Sequence, residues 1–373
     1  MSITIADVAK HAGVSKTTVS RVLNAKSGIG SQTTERVRAA IEELGFVPSS
    51  AAVGLARGRT GTVGVLVPFG SPGAPAPLLT SQWMAGILQA VSDTLAAAGF
   101  GMRLFTCDDS EHSLERFAAR ISAREVDGLL AIEPVGMVDH LVGVDQRGLP
   151  VVLVDDRDPR IPLPTVSTTN SRGGSSAARH LMDLGRHRPL VITGRREYGC
   201  TRQRLAGFTQ VYADAGLPVA PEYVIEGDFT VAGGVRAVRH AMQDGMEFDA
   251  VFAHNDLSAI GALRAIRQAP LRGLSDGDLA LVGFDDIPLA SQAGYPLTTV
   301  RQPLPEMGEA AARLLVARLG ETQTKPPAPT PAPESESESE SESESEPDSA
   351  VVIPTDLVIR KTEVAGQRPP AAP

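Results

Sequence analysis

Two sets of side chains have types and spacings that could do chemistry. Lys16, Thr17 and Arg21 lie on the outward side of one short amphipathic stretch: a long cationic donor, a short hydroxyl and a guanidinium. The guanidinium can pair in two-pronged fashion with guanine O6 and N7. Ser15, Thr18, Ser20 and Asn24 flank this set and suit phosphate contact or helix capping. In the second set, Asp155 follows VVLV, Asn255 follows VFAH and Asp285 follows LVGF; Arg204 sits in a helical stretch, and Trp83 and Phe229 offer aromatic surfaces. Carboxylates, an amide, a guanidinium and rings suit a small polyhydroxylated ligand, because each hydroxyl both donates and accepts and the sugar ring stacks on apolar faces. Each residue also has a plain structural use: Asp or Asn at a strand end can cap a helix, Trp83 can fill a core, and Arg204 can make a surface ion pair.

Reactive chemistry is less well provided for. The chain shows no nucleophile with an adjacent base, no metal-ligand spacing and no phosphate-binding glycine loop. Cys107 and Cys200 are far apart, so neither a disulfide framework nor a zinc site is expected. The cluster Asp155, Asp156 and Asp158 has Arg157 inside it and reads as a loop. No cofactor, no metal and no catalysis are the expectation. The alternative is an enzyme, or a cytoplasmic sugar- or nucleoside-binding protein, using the same cleft.

The first set needs a rigid platform. Thr4 and Asp7 form a capping-box pattern, and Ile5, Val8, Ala9 and Ala12 follow at helical spacing until Gly13. Ser15 caps a second helix from Lys16 to about Leu23 that buries Val19, Val22 and Leu23. A third runs from about Gln32 to Leu44 with Val37, Ala40, Ile41 and Leu44 as its stripe, and Gly45 suits the left-handed position beyond it. Three short helices with a tight glycine turn between the first two make the second a reader of the major groove of double-stranded DNA.

Charge agrees with this reading. The 373 residues carry a net charge of −9, yet residues 1–60 hold eight Lys/Arg against four acids, a surplus of +4 on a body of −13. A basic module on an acidic body is expected when one part meets phosphate and the other does not. The apolar share of 42% is that of a globular chain, and neither a membrane span nor a signal peptide is evident, so a cytoplasmic location is expected.

Residues 49–61 (SSAAVGLARGRTG) form an alanine-rich segment too short for a stable isolated helix, and Gly54 weakens it further. From Thr62 onward, apolar strands alternate with amphipathic helices. Strands are expected at Val63–Val67, Met102–Phe105, Gly128–Ile132, Val151–Asp155, Leu190–Thr193, Ala250–Ala253 and Leu279–Phe284. Helices include Gln82–Ala98, Ser175–Leu184, Arg202–Ala215 and Leu257–Ile266. That alternation implies parallel sheets covered on both faces, with ligands bound beyond the strands' carboxyl ends.

TIADVAKHAGVSKTTVSRVLN followed by TTERVRAAIEELGFVP closely resembles the headpiece of the lactose-repressor and galactose-repressor family. RQRLAGF, HNDLSAIGALRAI, LVGFDDIPLA and PLTTVRQP are similar to that family's effector domain. The resemblance implies an all-α helix-turn-helix headpiece (1–48), a hinge helix (49–61) and a two-lobed α/β domain of the periplasmic-binding-protein kind with parallel sheets (62–373). It implies a homodimer on operator DNA controlled by a small, carbohydrate-like effector. Asp155, Arg204, Asn255 and Asp285 match effector-contacting positions, Phe229 an aromatic one, and Leu55 the residue that wedges the operator's minor groove. Several positions depart from the family: Ser49 and Val53 in the hinge, Thr169 and Arg186 in the body, and FGSPGAPAPLLTSQWM, which makes Trp83 a weaker match. A proline-rich stretch and then Glu at every second position from 334 to 346 interrupt the pattern at 321–350. With dense like charge and no large apolar residue it is expected to be disordered. It reads as an expanded surface loop or as a competitor with phosphate for the basic headpiece.

Overall fold

The computed structural model describes residues 3–23, 28–46, 59–68, 81–107, 111–134, 136–155, 160–268, 279–292, 296–324 and 350–360. The chain divides into two compact units: residues 1–62 with 124–127, and residues 63–123 with 128–373.

In the first unit, α1 (Ile5–His11), α2 (Lys16–Leu23) and α3 (Ser31–Leu44) surround a small core of Val8, Ala9, Ala12, Val19, Val37 and Ala40. The Asp7 carboxylate closes the start of α1 by accepting from the Thr4 N–H (2.9 Å) and hydroxyl (2.7 Å). Ser15 caps α2 by accepting from the Thr18 N–H at 3.1 Å. Gly45 ends α3 at φ 59°, the left-handed region where a side chain is disfavoured. His11 on α1 meets Glu43 on α3 at 2.7 Å.

The second unit contains two six-stranded sheets. One has the order β11-β5-β4-β3-β1-β2 and the other β12-β10-β9-β8-β6-β7. The strands of the first are β1 (Thr62–Pro68), β2 (Gly101–Cys107), β3 (Gly128–Ile132), β4 (Val151–Val154), β5 (Thr165–Thr168) and β11 (Ala350–Ile353). Those of the second are β6 (Pro189–Thr193), β7 (Val224–Glu226), β8 (Ala250–Ala253), β9 (Ala280–Asp285), β10 (Thr298–Arg301) and β12 (Asp356–Val358). The central pairs are parallel, and β12 runs antiparallel to β10. Strands β3, β4, β6, β8 and β9 are buried along their whole length, as expected of sheets covered on both faces.

The covering helices are α4 (Gln82–Ala97), α5 (Glu111–Ser122), α6 (Val138–Gln146), α7 (Asn170–Asp183), α8 (Gly199–Asp214), α9 (Val231–Gln243), α10 (Asp256–Gln268) and α11 (Leu304–Thr324). The chain crosses between the lobes after β5, after β10 and after β11. Side chains tie these crossings together. Thr168 Oγ1 donates to Gln302 Oε1 at 3.0 Å, and Thr169 and Thr355 share hydroxyls at 3.0 Å while the Thr355 N–H donates to Thr169 Oγ1 at 2.9 Å.

The strands β5, β7, β10, β11 and β12 were not expected from the sequence. Each is only three or four residues long, and all but β11 carry Thr, Asp or Glu, so their apolar signal is short. Helix α7 begins at Asn170, five residues before the expected start, because its first turn is built from small and polar residues.

Candidate functional site

On α2, Lys16, Thr17 and Arg21 are exposed while Val19 is fully buried, so the helix presents its donors outward from a packed base. Ser15 and Thr18 are joined through their hydroxyls at 2.9 Å as part of the cap, and Ser20 is half-buried. Asn24 and Leu55 lie outside the described residues.

The second site is built by strand ends facing each other across the two lobes. Asp155 follows β4 in the left-handed region (φ 61°), and Asp285 ends β9 at φ 111°. Both conformations are unusual for residues other than glycine. Arg204 comes from the second turn of α8. Its Nε donates to Asn170 Oδ1 at 2.8 Å and one terminal nitrogen donates to the His254 carbonyl at 2.6 Å. Its guanidinium carbon lies 3.8 Å from the centre of the Phe284 ring, and its nitrogens stand 3.9 Å from both Asp155 and Asp285. Asn170 Nδ2 donates to Asp155 at 3.3 Å, and Gln302 Nε2 donates to Asp285 at 2.7 Å.

Asp155, Arg204 and Asp285 therefore converge, as the family resemblance implied. Asn255 is engaged differently. Its side-chain oxygen accepts from the Ser258 N–H at 2.9 Å, capping α10, and its amide donates to the Phe229 carbonyl at 2.8 Å. It thereby fixes Phe229, which is half-buried at φ 60° with its ring over Gly194, where a Cβ would collide with it. Tyr198 meets that ring edge-on, with centres 5.8 Å apart. Trp83 is 7% exposed within the apolar core beside Val65, Met84 and Ile87, so packing accounts for it.

Four participants escaped the sequence reading. Asn170 and Gln302 follow β5 and β10, two of the strands that were not assigned. Glu133 follows β3 as Asp155 follows β4, so the rule that found one acid could have found the other. Cys200 lies one helical turn before Arg204 and donates to Glu133 across the lobes at 3.5 Å.

Burial sets the electrostatics. Burial and the neighbouring Asp155 raise the Glu133 carboxyl to about 8, with Arg204 opposing the shift. Burial raises Asp285 to about 7 against the pull of Arg204 and Gln302. Burial alone would lower the Arg204 pKa, but Cys200, Asp285, Asp155 and Glu133 outweigh it and keep the guanidinium charged. His254 is held neutral by burial and by Arg204. Donor atoms of Glu133, Asp155 and Cys200 lie within 4.8 Å of one another. Arg204 already supplies positive charge beside Asp155, and burial keeps the Cys200 thiol protonated, so this trio does not have the character of a divalent-metal site.

A pH dependence follows. Glu133 binds its proton more tightly folded (about 8) than unfolded (4.5), so its contribution to stability is full below 4.5 and is lost as pH rises through 8. Thermal unfolding followed between those limits should give a midpoint that falls with pH, and Glu133→Gln should flatten the fall. An equal slope in the variant would assign the titration to another group.

A three-helix DNA-binding module joined in one chain to a two-lobed α/β body defines a ligand-responsive transcription regulator. Residues 4–49 match the model of the bacterial regulatory proteins of the lacI family, and residues 178–337 match that of a periplasmic binding protein-like domain. The transcriptional regulator CelR of Thermobifida fusca is 35% identical over 332 residues, covering 87% of this chain and 94% of that protein. The ribose operon repressor of Escherichia coli K12 is 32% identical over 321 residues, covering 85% of this chain and 93% of the relative. A solved complex of CelR with cellobiose superposes with a TM-score of 0.67 at 31% identity, covering 96% of this chain and 99% of that one. The chain belongs to the lacI family of bacterial regulatory proteins and is a DNA-binding transcription regulator. Its named relatives are transcription regulators and repressors. Among the described residues no helix is long and apolar enough to cross a membrane.

Proposed function

We propose that this regulator represses transcription as a homodimer, and that a carbohydrate bound between the lobes of residues 62–373 sets the operator affinity of headpiece 1–48 through hinge 49–61. The observation that carries this reading is Arg204. It is a buried guanidinium on one lobe, shared at 3.9 Å between a carboxylate from each lobe, so a ligand that bonds these groups must alter how the lobes meet. Asp155, Arg204 and Asp285, with Asn170, Gln302 and Glu133, are the effector-contacting groups, and Phe229 offers a stacking face. The CelR complex contains cellobiose and another relative is named for ribose, which favours a sugar. The effector acts through its difference in affinity for the two lobe arrangements. The test is to titrate sugars against binding of the chain to its own upstream DNA. A response lost in Arg204→Ala supports the cleft, and a response kept in that variant removes it.

On the DNA side, Lys16, Thr17 and Arg21 read the major groove, Ser15, Thr18, Ser20 and Asn24 contact phosphate or cap, and Leu55 wedges the minor groove. Arg21→Ala should weaken binding by roughly 1–3 kcal/mol and relax preference at a single base pair. Mobility shifts over a set of operator variants at fixed salt measure this. A uniform loss across all variants would make Arg21 a phosphate contact instead.

A further inference from the structure

Asp127, the residue before β3, bonds to three consecutive residues where the hinge segment enters β1. One carboxylate oxygen accepts from the Thr60 N–H and the other from the Gly61 N–H, each at 2.7 Å. The Asp127 N–H in turn donates to the Thr62 carbonyl at 2.8 Å. Within the segment, the Thr62 N–H donates to Thr60 Oγ1 at 3.1 Å and closes a tight turn. Gly61 takes the left-handed region at φ 66°. Successive N–H groups in such a turn form a small concavity suited to an anion, and the Asp127 carboxylate fills it. Bonds of this kind to an ionised acceptor are about twice as strong as neutral ones. Asp127, Thr60 and Gly61 belong to the same compact unit as the three headpiece helices.

The base on which Asp127 stands is stiff. Gly128, the next residue, opens β3, which is buried along its whole length and paired in parallel with β1 on one side and β4 on the other. At about 3.3 Å per residue, the 5 residues of β3 span roughly 17 Å and end beside Glu133, the partner of Cys200 in the cleft. One buried strand therefore has a cleft residue at its end and the hold on the hinge segment at its start.

We infer that Asp127 is a positioning residue for operator binding, fixing the end of hinge 49–61 through the Thr60 and Gly61 N–H groups and so the spacing of the two headpieces in the proposed homodimer. Half-sites lie about 34 Å or a multiple of it apart, so a loosened hinge end costs affinity for the paired site and little for DNA in general. Resting on the reading that a carbohydrate in the cleft sets operator affinity, Asp127 is also where β3 passes a change in the lobes to the hinge. Two simpler roles for this acid predict other results. A purely electrostatic one would make its removal strengthen binding to every DNA, since a negative charge opposes phosphate. A purely structural one would weaken binding to every DNA alike.

The test uses the full chain, Asp127→Ala and Gly61→Ala, without sugar and at fixed salt, on the chain's own upstream DNA and on an unrelated duplex of equal length. A Cβ on Gly61 meets nothing within 4 Å, so that variant acts through backbone conformation alone. Both variants should bind the upstream DNA about tenfold or more weakly and the unrelated duplex within about twofold of the unaltered chain. Hydrogen exchange at the Thr60 and Gly61 amides should be slow in the unaltered chain and fast in Asp127→Ala. Upstream binding that is unchanged or tighter in Asp127→Ala, or an equal loss on both duplexes, would overturn the positioning role. Should that variant fail to fold, Gly61→Ala and exchange in the unaltered chain decide, and fast exchange there overturns the role as well. Cellobiose and ribose are then titrated. A sugar that shifts upstream binding of the unaltered chain should still bind Asp127→Ala by calorimetry while its shift falls to within about twofold of none. A shift kept in full removes Asp127 from the coupling. If neither sugar shifts the unaltered chain, the coupling falls with the carbohydrate reading, and the sugar-free comparison still decides the positioning role.

Discussion

Arg204→Ala is expected to abolish the effector response and to destabilise the two-lobed body by roughly 3–5 kcal/mol, the usual penalty for removing one partner of a buried charge network. The reason is what remains. Asp155 and Asp285 lose the cation 3.9 Å from each, Asn170 loses the donor to its side-chain oxygen, and the His254 carbonyl is left buried without its 2.6 Å donor. Arg204→Lys separates charge from geometry. An ammonium keeps the charge but cannot serve Asn170 and His254 in one rigid fork, nor lie flat at 3.8 Å over Phe284. The lysine variant should therefore recover part of the stability while its effector response stays weak. Denaturant unfolding together with sugar-dependent operator binding reads both quantities. Wild-type stability and response in Arg204→Ala would displace the guanidinium from the centre of the site.

The sequence was most readable where one local rule decides the outcome. A capping pattern at Thr4 and Asp7, a cap at Ser15 and a left-handed glycine at Gly45 bound the three headpiece helices within a residue or so. Wholly apolar strands such as Gly128–Ile132 and Ala250–Ala253 were equally plain, because a strand buried on both faces must be apolar throughout. Strands β5 and β10 were not. Their threonines serve buried hydrogen bonds, Thr168 to Gln302 and Thr299 to Asp256 at 2.5 Å, which makes them resemble loops in composition. With those strands went Asn170 and Gln302, the residues that orient Arg204 and Asp285.

Glu133 was missed for a different reason. Its strand-end position marks it as it marks Asp155, but its partners Cys200 and Asp155 approach it from other parts of the chain, and no spacing along the sequence records that meeting. Asn255 shows the converse. Its residue type and strand-end position fit a ligand contact and a helix cap equally well, and the structure gives it the cap while using its amide to hold Phe229 in place.

The same distinction between a residue and its neighbours bears on Gly207. Helices α7 and α8 cross so closely that a Cβ on Gly207 would fall far inside contact with the Ser171 carbonyl, and one on Gly174 would meet the Arg204 carbonyl in the same way. Both obstacles are backbone, so no rotamer change relieves them and the helices must move apart. Gly207→Ala is therefore expected to cost about 3 kcal/mol, the upper end of what overpacking usually costs, even though alanine is the better helix former. The separation also acts on the site, because α7 begins with Asn170 and α8 carries Arg204, whose 2.8 Å hydrogen bond spans that crossing. Effector response should fall along with stability, while the DNA contacts proposed for Lys16, Thr17 and Arg21 rest on a core in the other unit. Gly320→Ala is the matched control: a Cβ there meets nothing within 4 Å, so helix propensity alone should make it neutral or stabilising by up to about 1 kcal/mol. Comparing the two variants by denaturant unfolding and by sugar titration separates close helix packing from any general intolerance of glycine replacement. If Gly207→Ala behaves like Gly320→Ala, the approach of α7 to α8 does not hold Arg204 against Asn170.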